Sequence, residues 1–206
     1  MFAPKLELWG AVMDYLSKEY AEPILNPYLP SLLSCILDGW DSAQQLPDRH
    51  KLESGTKSGI VRDFIVDNVK EVFGSTPEVT PIQIKDYFFL RIDRFHIRFK
   101  KLDYNRLPRN YPTKQATALE KQLLELPDVN DQIYLNAGYI TNEFETKVLG
   151  AYVTCQIGKV NQWEIALGGV ENGFTALPTQ QAFDETRIIR PKKELIGNKE
   201  VNGEPL

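Results

Sequence analysis

Seven basic side chains lie close together in the middle of the sequence, where they could bind an anion. They are Arg91, His96, Arg98, Lys100, Lys101, Arg106 and Arg109. Apolar residues occupy alternate positions through most of 86–102, which is typical of strands with one buried face. The basic residues then occupy mainly the opposite face. We predict that this basic strand face binds phosphate, nucleic acid or an acidic protein surface.

An alternative is that the chain compensates these charges itself. If the strands of 86–102 pair, Arg91 lies beside His96 or Arg98, and like charges in such positions destabilise the pair. We expect His96 to be solvated or hydrogen-bonded at the surface. The acidic residues that could provide internal compensation are Glu120, Glu125, Glu143 and Glu164. The sequence leaves both interpretations open.

The sequence has no recognisable catalytic signature. His50 and His96 lie in different predicted elements, and the G-x-S-x-G nucleophile motif is absent. A nuclease could use Asp93 and Glu164 to hold a divalent metal. However, the single Glu-x-Lys, at 145–147, falls in a predicted turn. We therefore name no catalytic or metal-binding residue and expect no cofactor, with a metal-dependent nuclease of degenerate motif as an alternative.

Composition indicates a globular protein of ordinary character. The chain has 206 residues and a formal net charge of −4, which argues against a protein that depends on neutralising phosphates. Cys35 and Cys155 are far apart, and we expect both to be buried free thiols. Charged residues interrupt the first 20 positions, and no apolar run reaches the length of a membrane span. These features predict a cytoplasmic protein without a membrane partner.

Three helices are predicted before the basic segment. Apolar residues recur every three or four positions over 4–22, 31–45 and 57–73. Pro23 is expected to end the first helix, and Gly74 to cap the third. Residues 75–81 are interpreted as a connector.

An antiparallel sheet of about five strands is predicted after these helices. It begins at 86–102 and continues as a meander through 132–141, 147–157 and 161–167. Thr113 is a suitable cap for a helix over 113–126 that lies between the two groups of strands. The fold class is therefore α+β, with one domain over 1–189 and a flexible tail over 190–206.

Three segments together resemble an uncharacterised family of bacterial and prophage proteins. They are TKSGIVRDFIVDNVKEVF (56–73), HIRFKKLD (96–103) and AGYITNEFETKVLGAYVTCQIGKVNQWEIAL (137–167). Members of this family are often encoded beside a helix-turn-helix regulator or a small metallopeptidase. The resemblance spans about residues 54–168 and implies a mobile-element or defence context. It assigns no active-site residue.

The leading prediction is a non-enzymatic protein-interaction or regulatory component of a bacterial or phage mobile-element or defence system. We expect a protein partner that contacts the basic strand face or the tail. Nucleic-acid binding through the basic face is a second interpretation, and the nuclease is a third. Self-association into a homo-oligomer is a further option.

Overall fold

The computed structural model describes residues 16–84, 87–109, 113–124 and 132–168. Within these ranges, helices precede a six-stranded sheet, so the predicted α+β class is confirmed. The helices are α1 (Lys18–Leu25), α2 (Leu29–Gln44), α3 (Ser54–Phe73) and α4 (Lys114–Glu120), with short 3₁₀ turns at Asn26–Tyr28 and Arg49–Lys51. The strands are β1 (Val79–Ile84), β2 (Tyr87–Ile92), β3 (Phe95–Lys101), β4 (Ile133–Thr141), β5 (Val148–Ile157) and β6 (Val160–Ala166). The predicted domain end at 189 and the tail 190–206 lie outside the described residues.

The strands lie in the sheet in chain order, from β1 to β6. All neighbours are antiparallel except β3 and β4, which pair in parallel from Phe95 opposite Ile133 to Lys101 opposite Tyr139. The expectation of an antiparallel continuation into the meander was therefore wrong at this one junction. The connection between β3 and β4 includes α4 and brings the chain back to the end of the sheet at which β3 begins, as a parallel pair requires.

The first strand was not predicted. Residues 79–84 pair with β2 along their whole length, although part of this segment was interpreted as a connector. Pro81 made a strand hard to predict here, because proline lacks the N–H of a sheet ladder. It is tolerated since β1 is an edge strand, with a neighbour on one side only.

Helices α2 and α3 cover one face of the sheet, which we call the first face. The main core lies there, and it includes Phe95, Ile97 and Phe99 of β3. The two helices approach closely at Gly39, where a Cβ atom would lie 2.7 Å from Cγ1 of Ile65. A side chain at this position would force the helices apart.

Helix α1 differs from the predicted helix over 4–22. It begins at Lys18, where the Ser17 side chain accepts a hydrogen bond from the Tyr20 amide, and it continues through Pro23 to Leu25. The expectation that Pro23 ends the helix was wrong. Proline removes one hydrogen bond of the second turn, and complete burial of Ala21 and Leu25 helps to offset that loss. Residues 4–15 of the predicted helix lie outside the described residues.

Helix α4 lies against the opposite face of the sheet, which we call the second face. Thr113 caps it as predicted, by accepting a hydrogen bond from the Ala116 amide. Leu119 packs against Phe89 and Tyr134. The helix ends at Glu120, earlier than predicted. Gln122 then bonds to the backbone N–H and C=O groups of Tyr134 through its side-chain amide.

Candidate functional site

The predicted basic residues do not form one solvent-exposed row. His96 is completely buried, and Arg98 and Arg106 are each only 5% exposed. The expectation of a surface His96 was wrong, because the second face that carries it is covered. Arg91 lies opposite His96, one of its two predicted neighbours, and donates a hydrogen bond to Oγ1 of Thr80.

His96 is enclosed by aromatic rings on the second face. Its ring centroid lies 6.2 Å from that of Phe89 and 5.8 Å from that of Tyr134. Nδ1 lies 3.1 Å from the Arg94 carbonyl oxygen, and Nε2 has no hydrogen-bond partner within the part of the chain that the structure describes. Burial, together with the charge of Arg91, lowers the pKa of His96 despite the hydrogen bond to that carbonyl. These contacts favour a neutral, structural imidazole.

Two of the other basic side chains interact with groups on the second face. The Arg98 Nε donates a hydrogen bond of 2.5 Å to Oδ1 of Asn136 on β4. The Arg106 Nε lies 2.7 Å from a carboxylate oxygen of Glu164, so the chain itself compensates this charge. Of the other acidic residues considered from sequence, Glu120 attracts Arg98 at longer range, Glu143 is exposed, and Glu125 lies outside the described residues.

Lys100 lies on the second face between Arg98 and Leu102 in the chain and is half-buried. Burial, reinforced by the charges of Arg98 and Arg62, lowers the pKa of its amino group to about 8. No hydrogen bond or ion pair joins it to any residue described by the structure. Lys100 is therefore a cation that contacts no counter-charge among the described residues.

Lys101 points to the opposite side of β3 from Lys100 and forms part of a different site. Its Nζ lies 2.5 Å from Oε1 of Glu145, which belongs to the turn between β4 and β5. The same carboxylate oxygen accepts a hydrogen bond of 2.5 Å from Oγ of Ser54, at the start of α3. Although burial alone would raise the pKa of Glu145, hydrogen bonds from Lys101 and Ser54 lower it below its ordinary value. One carboxylate thus joins a turn, a strand and a helix.

These three elements surround a groove of about 540 Å³. We call it the turn groove, and its walls also include the loop that follows β3. Five side chains that also line it are Lys57, Tyr104, Arg109, Glu143 and Phe144. Of the predicted basic residues, the groove brings together only Lys101 and Arg109.

The turn beside the groove is internally ordered. The side-chain oxygen of Asn142 accepts hydrogen bonds from the amides of Thr146 and Lys147, at 2.9 and 3.1 Å. Its side-chain nitrogen donates to Oγ1 of Thr146 at 2.8 Å. Glu145 adopts a φ of 53°, and its amide donates to the Asn142 carbonyl. The turn therefore has a defined conformation before any ligand arrives.

Two aromatic side chains of the groove remain in contact with solvent. Phe144 is 83% exposed and Tyr104 is 51% exposed. The Tyr104 hydroxyl lies 3.5 Å from the Thr141 carbonyl oxygen. The phenyl ring of Phe144 therefore presents apolar surface to solvent on an ordered turn, and a partner can bury that surface.

The two carboxylates of the nuclease hypothesis are not brought together. Asp93 lies in the turn between β2 and β3, whereas Glu164 lies on β6 and pairs with Arg106. The turn that carries Asp93 lies three to four strand spacings of about 4.8 Å from β6, or about 14–19 Å. One metal ion cannot bind both carboxylates at such a separation. Within the described ranges, no group of three or more His, Cys, Asp or Glu side chains is arranged to hold a metal.

Cys35 and Cys155 are buried free thiols, as predicted. Burial raises the pKa of both, so the reactive thiolate form is disfavoured. Among the described residues, no helix has the length and the apolar content that a membrane span requires.

Comparisons with protein-family models, with curated proteins and with solved structures found no match. The turn groove was not predicted from sequence. The sequence feature that could have indicated it is Phe144 within the polar segment NEFET. A large apolar residue in a short hairpin turn has no core position to occupy and is therefore expected at the surface.

Proposed function

We propose that the protein acts by binding a partner protein and that the turn groove is the surface of contact. The observation that carries this proposal is Phe144, 83% exposed at a turn that Asn142 and Glu145 hold in place. Burial of the ring against a partner would remove apolar surface from water. Because the turn is already ordered, binding would lose little conformational entropy.

The composition of the groove is that of a protein interface. Aromatic side chains commonly supply the buried centre of such interfaces, and charged groups of both signs surround them. Phe144 and Tyr104 are the apolar candidates here. Both charge signs are present among the lining side chains: Lys57, Lys101 and Arg109 are cationic, and Asp103, Glu143 and Glu145 are acidic.

This balance of charge favours a protein over a nucleic acid. A surface that binds the phosphate backbone gains affinity from uncompensated Lys and Arg residues. In the turn groove Lys101 is already paired with Glu145, and acidic residues equal the basic ones in number. Two further residues of the predicted nucleic-acid surface are also not free cations, because Arg106 is paired with Glu164 and His96 is completely buried.

We further propose that the partner belongs to a bacterial or phage mobile-element or defence system. The support for this setting is the resemblance of residues 54–168 to proteins encoded in such elements. A partner encoded near the gene is therefore the first candidate.

Affinity capture from the native host tests the proposal. The baits are the tagged wild-type chain, Phe144→Ala, and Val160→Ala as a matched control, because Val160 is also well exposed, at 59%, but lies at the start of β6. We expect a stoichiometric protein that survives nuclease treatment, is retained by wild type and Val160→Ala, and is lost with Phe144→Ala. Complete loss on nuclease treatment, or equal retention by Phe144→Ala, would overturn the proposal.

A further inference from the structure

Arg98 and Lys100 place two cations side by side on the second face. They are two residues apart on β3, so their Cα atoms lie about 7 Å apart and both side chains leave the same face. Arg98 is 5% exposed and Lys100 is half-buried. Two like charges in a partly desolvated position repel each other unless an anion compensates them.

The Arg98 guanidinium has donors that the described part of the chain does not use. Its Nε bonds to Asn136, but a guanidinium carries five N–H donors in a fixed fork. Within the described ranges, no other hydrogen bond and no carboxylate at ion-pair distance involves this side chain. Glu120 attracts it only at longer range. The remaining donors have no partner among the described residues.

Lys100 also contacts no carboxylate among the described residues, whereas Arg106 on the same face does. Arg106 lies 2.7 Å from Glu164 on the same face and so has its counter-charge in contact. Among the residues that the structure describes, Lys100 has no such carboxylate. Within the described ranges, the second face therefore carries a paired cation at Arg106 and two cations, Arg98 and Lys100, that contact no carboxylate.

We propose that Arg98 and Lys100 together bind a phosphate group on the second face. The planar fork of Arg98 can donate two parallel hydrogen bonds to phosphate oxygens, and the Lys100 ammonium can act as a point charge beside it. A dianionic phosphate matches two cations that contact no carboxylate of the described residues. A carboxylate would neutralise only one of them.

This inference does not depend on the turn groove. Lys100 and Lys101 leave opposite faces of β3, and Lys101 belongs to the groove. The test of phosphate binding can therefore be negative while the test of partner binding is positive, and the reverse. Phe144→Ala is expected to leave phosphate affinity unchanged.

Titration of the full chain with inorganic phosphate tests the proposal directly. The binding heat and the thermal midpoint of unfolding are measured at constant ionic strength, with sodium chloride and sodium acetate as control salts. The variant is Lys100→Met, and the matched control is Lys147→Met, an exposed lysine at the end of the β4–β5 turn. We expect phosphate to bind and to raise the thermal midpoint of wild type and Lys147→Met. Lys100→Met should weaken binding about tenfold or more, as loss of a charge-assisted hydrogen bond implies.

A second readout keeps the test independent of the folding of the variant. In wild type, the amino group of Lys100 can be titrated by nuclear magnetic resonance with and without phosphate. A bound phosphate stabilises the ammonium form, so its pKa should rise from about 8. An unchanged Lys100 titration, equal effects of phosphate on wild type and Lys100→Met, or stabilisation by acetate equal to that by phosphate would each overturn the proposal.

Discussion

The carboxylate of Glu145 lies 2.5 Å from the amino group of Lys101, and this pair ties the β4–β5 turn to the end of β3. The two residues are 44 positions apart in the chain. Ser54 of α3 bonds to the same oxygen atom. The position of the exposed Phe144 therefore depends on contacts made by its neighbour in the turn.

Glu145→Gln should lower the free energy of unfolding by about 1–3 kcal/mol at pH 7, because Lys101 would lose its counter-charge in a mostly buried position. The folded-state pKa of Glu145 is below its ordinary 4.5, so the stabilisation is present above that pH and is lost as pH falls through the folded value. The difference between wild type and variant should therefore shrink in acid. Urea unfolding at several pH values measures it.

The control for this substitution is Glu143→Gln. Glu143 lies in the same turn but is exposed, so its replacement should change stability by less than about 0.5 kcal/mol. Equal losses for both variants would contradict a specific role for the Glu145–Lys101 pair.

Asn142→Ala should loosen the same turn without removing a charge. The three side-chain hydrogen bonds to Thr146 and Lys147 would be lost, at a cost of about 1–2 kcal/mol. Amide hydrogen exchange at Thr146 and Lys147 should become faster in this variant and remain unchanged in Phe144→Ala. Unaltered exchange in Asn142→Ala would show that other contacts order the turn.

Gly39→Ala should destabilise the packing of α2 on α3. The added Cβ would lie 2.7 Å from Cγ1 and 2.8 Å from the backbone nitrogen of Ile65, which demands a shift of one helix. We expect a loss of about 1–3 kcal/mol by urea unfolding. Gly59→Ala is the matched control, because nothing lies within 4 Å of its added Cβ. That variant should gain about 0.5–1 kcal/mol from helix propensity.

His96 should make the protein less stable in mild acid. Its folded-state pKa is below 6.5, so the unfolded chain binds the proton first as pH falls, and protonation favours unfolding. His96→Phe should remove this contribution and flatten the decline of stability between pH 7 and 5, by at most about 1.4 kcal/mol per pH unit. His50→Phe, at an exposed position, is the control. Parallel profiles for wild type and His96→Phe would disprove the assignment.

Alternation of apolar residues predicted most of the sheet, because the period of two is a property of each strand alone. It could not predict the environment of the second face. Alternation places Arg98 and Ile97 on different faces of β3. It would do so whether or not α4 and the loop after β3 covered the second face. The basic residues were therefore expected in solvent, whereas Arg98 and His96 are buried.

The turn groove could not be predicted for a related reason. It depends on the contact of Glu145 with Ser54, 91 positions away, and on the approach of Lys101. Local patterns do not encode such distant contacts. The parallel pairing of β3 with β4 likewise depends on the path of the intervening chain and not on either strand.

The affinity of the captured partner for Phe144→Ala shows whether the partner binds through the turn groove. Purified partner is titrated calorimetrically into wild type, Phe144→Ala and Val160→Ala, after unfolding curves establish equal stability of the three proteins. An aromatic residue at the centre of an interface contributes about 2 kcal/mol or more, so the affinity of Phe144→Ala should fall about thirtyfold while Val160→Ala matches wild type. Equal affinities for all three proteins would contradict partner binding through the turn groove.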